Sequence, residues 1–334
     1  MGATTLTHVT TINPNNTNIH GPVVDEVEGL IRVYKDGHVE RYQLVPCVGT
    51  SLPLELGVAC SDVVIDKLTN VWARLYVPLM TTTKSSVSKL PLIVYFHGGG
   101  FCVGSASWSC YHEFLARLSA RSRCLIMSVN YRLAPENPLP AAYEDGVNAI
   151  LWVNKARNDN LWAKQCDFGR IFLAGDSAGG NIAHQVAARL AATDLKPLKI
   201  EGMILIQPFF GGEARTESER RVGNNKRSVL TLASSDAWWR LSLPRGANRE
   251  HPYCKPVKFK SSTVMRTLVC MAEMDLLMDR NMEMCDGNEK VIKRVVYKGV
   301  GHAFHILGKS QLAHTTTVEM LCHIDAFINH YDPS

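Results

Sequence analysis

The sequence predicts an α/β protein: a mostly parallel central sheet of about eight strands, helices on both of its faces, and a cap. Three observations carry this. From Asp62 onward, short apolar runs alternate with stretches whose apolar residues recur at helical spacing. The 334 residues, 46% hydrophobic and 20% charged, have an ordinary globular composition and enough length for one large core. Finally, "RIFLAGDSAGGNIAH" (170–184) sets a serine between glycines where an apolar run gives way to helical spacing.

Taken in chain order, residues 1–21 are polar and read as a disordered start. Val23, Val27, Leu30 and Ile31 are spaced like one face of a short amphipathic helix, and "VYKDGHVERY" (33–42) alternates about Asp36-Gly37 like a hairpin. Residues 1–45 are therefore expected to be a disordered start plus an N-terminal cap segment, with the main domain over 46–334. "DVVID" and "VWARLYVP" follow one another without a helix and predict antiparallel strands at the sheet edge. "PLIVYFH", "CLIMSVNY", "RIFLAG", "GMILIQP", "TLVCMAE" and "KRVVYK" supply the remaining strands, with helices over Glu113–Arg121, Asp145–Ala156, Ala178–Ala192 and Thr316–His330. "TTTKSSVSK" (81–89) reads as a polar surface loop. Residues 211–256 form a long excursion between two strands, expected to lie over a pocket as a lid. Its Trp238 and Trp239 are costly to leave in water, and either line that pocket or pack the lid.

Composition excludes several function classes. The net charge is +5, and the densest basic patch, "RRVGNNKR" (220–227), has no interleaved aromatics. It reads as a solvated face, so no nucleic-acid partner is expected. The ten cysteines are scattered, with no C-x-x-C pair or zinc-finger spacing, and most read as buried thiols of a reducing compartment; no metal or cofactor is expected. The polar start lacks the apolar core of a signal peptide and the positive charge of a transit peptide. No apolar stretch approaches the roughly 18 residues of a membrane span. The expectation is a cytoplasmic or nuclear protein without a membrane partner.

The chemistry starts from Ser177. Gly175 and Gly179 fit the G-x-S-x-G turn, in which the chain bends too sharply for neighbouring Cβ atoms and holds the serine hydroxyl outward. A serine nucleophile needs a base, a group to orient that base, and donors for the oxyanion. In this topology the acid and then the histidine follow the serine in the chain. Of the five histidines after Asp275, only His302 lies in a glycine-flanked loop directly after a strand, in "YKGVGHAF". His305 reads as a residue packing near the base, and His314, His323 and His330 as surface or packing residues of the terminal helix. "TLVCMAEMDLLMD" offers Glu273, Asp275 and Asp279; Asp275 sits just past the apolar run, where a loop begins, whereas Asp279 falls in the following helix, where it caps or bonds backbone. The interval from Asp275 to His302 has room for one helix and one strand. Ala178 supplies one oxyanion N–H, and the triple-glycine loop of "YFHGGGF" (95–101) supplies others. His97 precedes that loop and is expected to pin it by hydrogen bonding rather than act as base.

With these residues in place, the chain resembles the plant carboxylesterases of the hormone-sensitive-lipase group of α/β-hydrolases. The carriers are "HGGGF" (97–101), "NYRLAPENPLPAAYED" (130–145), "GDSAGGNIAH" (175–184), "DLLMD" (275–279) and "GHAF" (301–304). The resemblance covers nearly the whole chain. It implies an α/β-hydrolase fold, Ser177, Asp275 and His302 as a catalytic triad, and Gly99, Gly100 and Ala178 as oxyanion donors. It also implies that the N-terminal segment and the 211–256 excursion cap an acyl pocket taking a small-molecule ester. Arg132 is expected to tie the "YRLAPE" turn to a carboxylate such as Asp145. One departure is visible: the group often has proline after the triad acid, where this chain has Leu276. Gibberellin receptors of the same family keep the serine and lack the histidine, so a hormone receptor is the rival reading and His302 discriminates. Family dehydratases and transesterases, which reuse the same pocket, form a second rival.

Overall fold

The computed structural model describes residues 19–79, 89–158, 162–225, 227–255, 265–286 and 291–330. Residues 1–18 of the expected disordered start and 81–88 of the expected polar loop lie outside the described residues. The described chain opens with a three-stranded antiparallel sheet, β1 (Val23–Val27), β2 (Ile31–Tyr34) and β3 (Val39–Arg41). The hairpin about Asp36-Gly37 is present, with Arg32 opposite Glu40. The amphipathic helix expected from Val23, Val27, Leu30 and Ile31 is not: β1 and β2 pair instead, with Val27 opposite Ile31. The run is rich in β-branched residues, which favour the pleated conformation, and Gly29 at φ 70° makes the turn that a helix would forbid.

The eight apolar runs form one sheet: β4 (Val58–Asp66), β5 (Val71–Pro78), β6 (Leu90–Phe96), β7 (Leu125–Asn130), β8 (Cys166–Asp176), β9 (Ile200–Ile206), β10 (Arg266–Ala272) and β11 (Ile292–Tyr297). Their spatial order is β11-β10-β9-β8-β6-β7-β5-β4. Only β5 runs against its neighbours, antiparallel to both β4 and β7, so the edge strand β4 itself shares the direction of the parallel set. All of β6 is buried, and its side chains alternate between the two cores. Leu92, Val94 and Phe96 enter one, with residues of α2 (Ala141–Ala156) and α3 (Ala178–Leu190). Ile93 and Tyr95 enter the other, with α1 (Ser109–Ser122) and α8 (Gln311–Asn329). Helix α8 begins earlier than its apolar spacing predicts because Ser310 caps it, accepting from the Ala313 N–H at 3.1 Å.

From β6 the chain moves to β7 on one side and then returns to β8 on the other. Connections diverging from adjacent strands leave a crevice at their carboxyl ends, and that is where the glycine loop and Ser177 emerge. Between β9 and β10 the excursion contains α4 (Glu217–Val222) and α5 (Leu232–Ser242), each started by a threonine capping box. After β10 comes α6 (Met278–Cys285), and after β11 the short α7 (Phe304–Leu307). The expected tie is formed: Arg132 donates to buried Asp145 at 2.7 Å.

Candidate active site

Ser177 sits at φ 52°, ψ −119°, between β8 and α3. The strained turn requires close backbone approach: a Cβ on Gly179 would collide with the Phe96 carbonyl oxygen, and one on Gly175 with the Gly179 backbone. The Ser177 N–H donates to the Ile206 carbonyl (2.9 Å) and its carbonyl accepts from the Phe209 N–H (2.8 Å), which fixes the serine against β9.

His302 Nε2 lies 2.9 Å from Ser177 Oγ, and His302 Nδ1 lies 2.7 Å from Asp275 Oδ2. A carboxylate only accepts, so Nδ1 carries the proton and Nε2 is left to accept from the serine hydroxyl. All three residues are buried. Burial by itself pulls the His302 pKa down, but the charge and hydrogen bond of Asp275, with a smaller contribution from Asp176, leave it above the ordinary value. Asp275 is rigid: Oδ1 accepts from the Leu277 N–H at 3.0 Å, and its carbonyl accepts from the Met278 N–H at 3.2 Å. Leu276, in place of proline, is buried, and its carbonyl accepts from Ser218 Oγ of α4 (2.8 Å). Asp279 accepts from the Ser218 N–H at 2.7 Å, bonding backbone as its helical position predicts. The excursion therefore braces the loop that bears Asp275. A buried pair, Arg280 with Glu219 at 3.2 Å, adds to that brace.

Opposite Ser177, Gly99 (φ 111°) and Gly100 (φ 59°) take conformations that L side chains disfavour. A Cβ on Gly100 would lie 2.5 Å from the Trp238 ring. The Gly99 and Gly100 N–H groups donate to no acceptor among the described residues, and Ala178, first in α3, has no intrahelical acceptor for its own. His97 is buried beside this loop, its Nδ1 2.8 Å from the Gly98 carbonyl and its ring stacked on Tyr131. Burial lowers its pKa to about 4, so it stays neutral and pins the loop as expected. His305 is packed edge-on to Phe114, and burial lowers its pKa to about 3.

Sequence reasoning passed over four residues that hold this site. Asp176 precedes Ser177 and is buried, accepting from Tyr95 (2.8 Å) and Tyr111 (3.0 Å). Burial raises its pKa to about 6 against the opposing effect of those two hydrogen bonds. Tyr111 also accepts from the Gly98 N–H at 2.8 Å, linking the Ser177 turn to the glycine loop. Gln207 Oε1 accepts from the Ala303 N–H (2.6 Å) and anchors the turn after His302. Asp176 lies within the serine motif and Tyr95 opens the "YFHGGGF" stretch, but neither position, nor those of Tyr111 and Gln207, signals in the sequence which partner it meets.

Bordering Ser177 and His302 is a cavity of about 150 Å³ whose walls include Leu30, Leu44, Val103, Val229, Leu230 and Trp238. Trp238 thus lines the pocket, while Trp239 is buried and stacks on Phe209 at 4.5 Å. No group of three metal-ligating side chains occurs among the described residues, and no described helix is long and apolar enough to cross a membrane. All ten cysteines are free; Cys47 is exposed, Cys60, Cys110 and Cys322 are half-buried, and the other six are buried, as expected of most of them.

A sheet of this order with a strained serine elbow and a facing histidine defines an α/β-hydrolase. The family model described as "alpha/beta hydrolase fold" matches residues 93–306, and the chain belongs to that family as one of its carboxylesterases. More particularly, it is 88% identical to a protein named probable carboxylesterase 6 of Arabidopsis thaliana, across 100% of this chain and 99% of that one. A gibberellin receptor of the same plant is 37% identical over 82% of this chain and 81% of its own, a more distant relationship. Among solved structures, a fungal esterase from Rhizomucor miehei superposes with a TM-score of 0.70 at 28% identity, covering 82% of each chain.

Proposed function

We propose that the chain hydrolyses small carboxylic esters through Ser177, His302 and Asp275, with Gly99, Gly100 and Ala178 as oxyanion donors. His302 Nε2 takes the Ser177 proton as Oγ bonds to the ester carbonyl carbon. The negative charge that develops on the carbonyl oxygen is met by the three N–H groups. Collapse breaks the carbon–oxygen bond to the alcohol, which leaves with the proton from Nε2. Water, deprotonated by the same nitrogen, then clears the acyl-enzyme and frees Ser177. The observation that carries this reading is the unbroken chain from Ser177 Oγ to His302 (2.9 Å) and on to Asp275 (2.7 Å). It favours catalysis over the receptor reading, because ligand binding alone has no use for a histidine poised on the serine.

The described parts of the N-terminal segment and of the excursion, 19–45, 211–225 and 227–255, act as the cap. Leu30 and Leu44 from the first, and Val229, Leu230 and Trp238 from the second, face the same cavity as Ser177. A space of about 150 Å³ suits a short acyl group rather than a fatty chain. Turnover of p-nitrophenyl acetate and butyrate tests the assignment, with Ser177→Ala as control and a fluorophosphonate probe reporting on the serine. Steady hydrolysis and labelling, both lost in Ser177→Ala, are expected. A folded wild-type protein that neither turns over nor labels refutes it.

A further inference from the structure

A second cavity, of about 210 Å³, adjoins the first. The two share Val229, His302 and Leu307, but neither Ser177 nor the glycine loop borders the second. Chemistry then assigns the two arms of a bound ester. The carbonyl must lie on the side of Ser177, Gly99 and Gly100, which places the acyl group in the first cavity. The departing oxygen must lie by His302 Nε2, which protonates it, so the alcohol projects along the imidazole into the second cavity.

The character of that second cavity differs from the first. Its walls include Gly299, Gly301 and Gly308, which leave backbone rather than bulk at the surface, and Arg227 forms part of the lining. Arg227 is exposed, and its guanidinium makes no hydrogen bond or ion pair with the described residues. No aspartate or glutamate borders the cavity. The Glu273 carboxylate, which accepts from the Gly299 N–H at 2.9 Å, stands outside its lining. Ser310, the N-cap of α8, and Ala313, in its first turn, form part of the wall, so the positive end of that helix adds to the sign set by Arg227. Arg227 closes the basic run 220–227, which the sequence alone assigned to a solvated face.

We propose that this cavity is the alcohol subsite and that Arg227 selects esters whose alcohol or phenol carries a carboxylate. The inference rests on the hydrolase reading above. A guanidinium matches a carboxylate with two parallel N–H donors, and the cavity has room for a ring or short chain between that contact and the ester oxygen.

The test is a matched pair of substrates, para-acetoxybenzoate and its neutral isostere para-acetoxybenzamide, given to wild type, Arg227→Gln and Arg227→Glu. The readout is the ratio of kcat/KM for the anionic ester to that for the neutral one. Because Arg227 is exposed, wild type should prefer the anion by about fivefold at low salt. The preference should shrink as ionic strength rises from about 0.02 M to about 0.5 M. The ratio should fall toward unity in Arg227→Gln and below the Gln value in Arg227→Glu. Turnover of the neutral ester with no anionic preference in wild type, or the same preference in all three proteins, overturns the subsite and leaves the hydrolase reading standing. Failure to turn over either ester, in protein with a native circular dichroism spectrum and an unlabelled Ser177, overturns the hydrolase reading and this one with it.

Discussion

Tyr111→Phe removes one oxygen atom and should show whether the glycine loop is held from behind. The Tyr111 hydroxyl accepts from the Gly98 N–H at 2.8 Å and donates to Asp176 Oδ2 at 3.0 Å, in a site where the ring is 2% exposed. Phenylalanine fills the same volume, so packing is kept. What changes is that a buried N–H loses its only acceptor among the described residues, at a cost of about 1–3 kcal/mol in stability. Asp176 keeps Tyr95, at 2.8 Å, but loses a donor that opposed the burial effect, so its pKa climbs further above about 6. Gly98 directly precedes the two proposed oxyanion donors. Losing one such donor outright costs about a hundredfold to a thousandfold in kcat. Donors that are displaced rather than lost should cost less, about tenfold, with KM changed by less than about twofold. Steady-state kinetics on p-nitrophenyl acetate, alongside thermal unfolding, separates the two effects. Tyr95→Phe is the control, since it touches Asp176 but not the loop and should lower stability without the loss in kcat. A folded Tyr111→Phe enzyme with wild-type kcat, or one altered only in KM, would refute the idea that Tyr111 positions the loop.

Three further outcomes are expected. Ser177→Ala and His302→Ala should each lower kcat by at least about a thousandfold, and the double variant should lose little more, because the pair acts as a unit; multiplicative losses would break the triad. His302 must be neutral to accept the serine proton, and its pKa is raised, so kcat/KM should climb with pH through a midpoint above the ordinary histidine value of about 6.5. Asp275→Asn should lower both the midpoint and the plateau, and a profile flat from about pH 5 to about pH 8 would exclude a histidine base. Rates should fall from butyrate to longer acyl chains, each misfit methylene costing about 1–3 kcal/mol. Trp238→Ala, which opens the cavity wall, should move that limit to longer chains; an unchanged acyl profile would remove Trp238 from the pocket.

Much of this protein was legible in the chain because the signals are local. Strand β8, the glycine-flanked turn at Ser177 and helix α3 are written in one fifteen-residue stretch, where burial on both faces demands apolar residues and the sharp bend demands glycine. The order of serine, acid and histidine then narrowed His302 and Asp275 to loops after strands, and His302 lies 2.9 Å from Ser177 Oγ and 2.7 Å from Asp275 Oδ2. The stretch from Val23 to Tyr34 shows where local reading fails. Four apolar residues there satisfy a helical period and a hairpin alike, and only pairing between β1 and β2 decides for the hairpin. Tertiary structure alone brought Tyr95 and Tyr111 to Asp176, Gln207 to the turn after His302, and Ser218 to the loop of Asp275. These partners lie tens of residues apart, and no local pattern records them. Periodicity registers which face of an element is buried; it carries nothing about which distant hydroxyl or amide will meet a buried carboxylate once the sheet has closed its core.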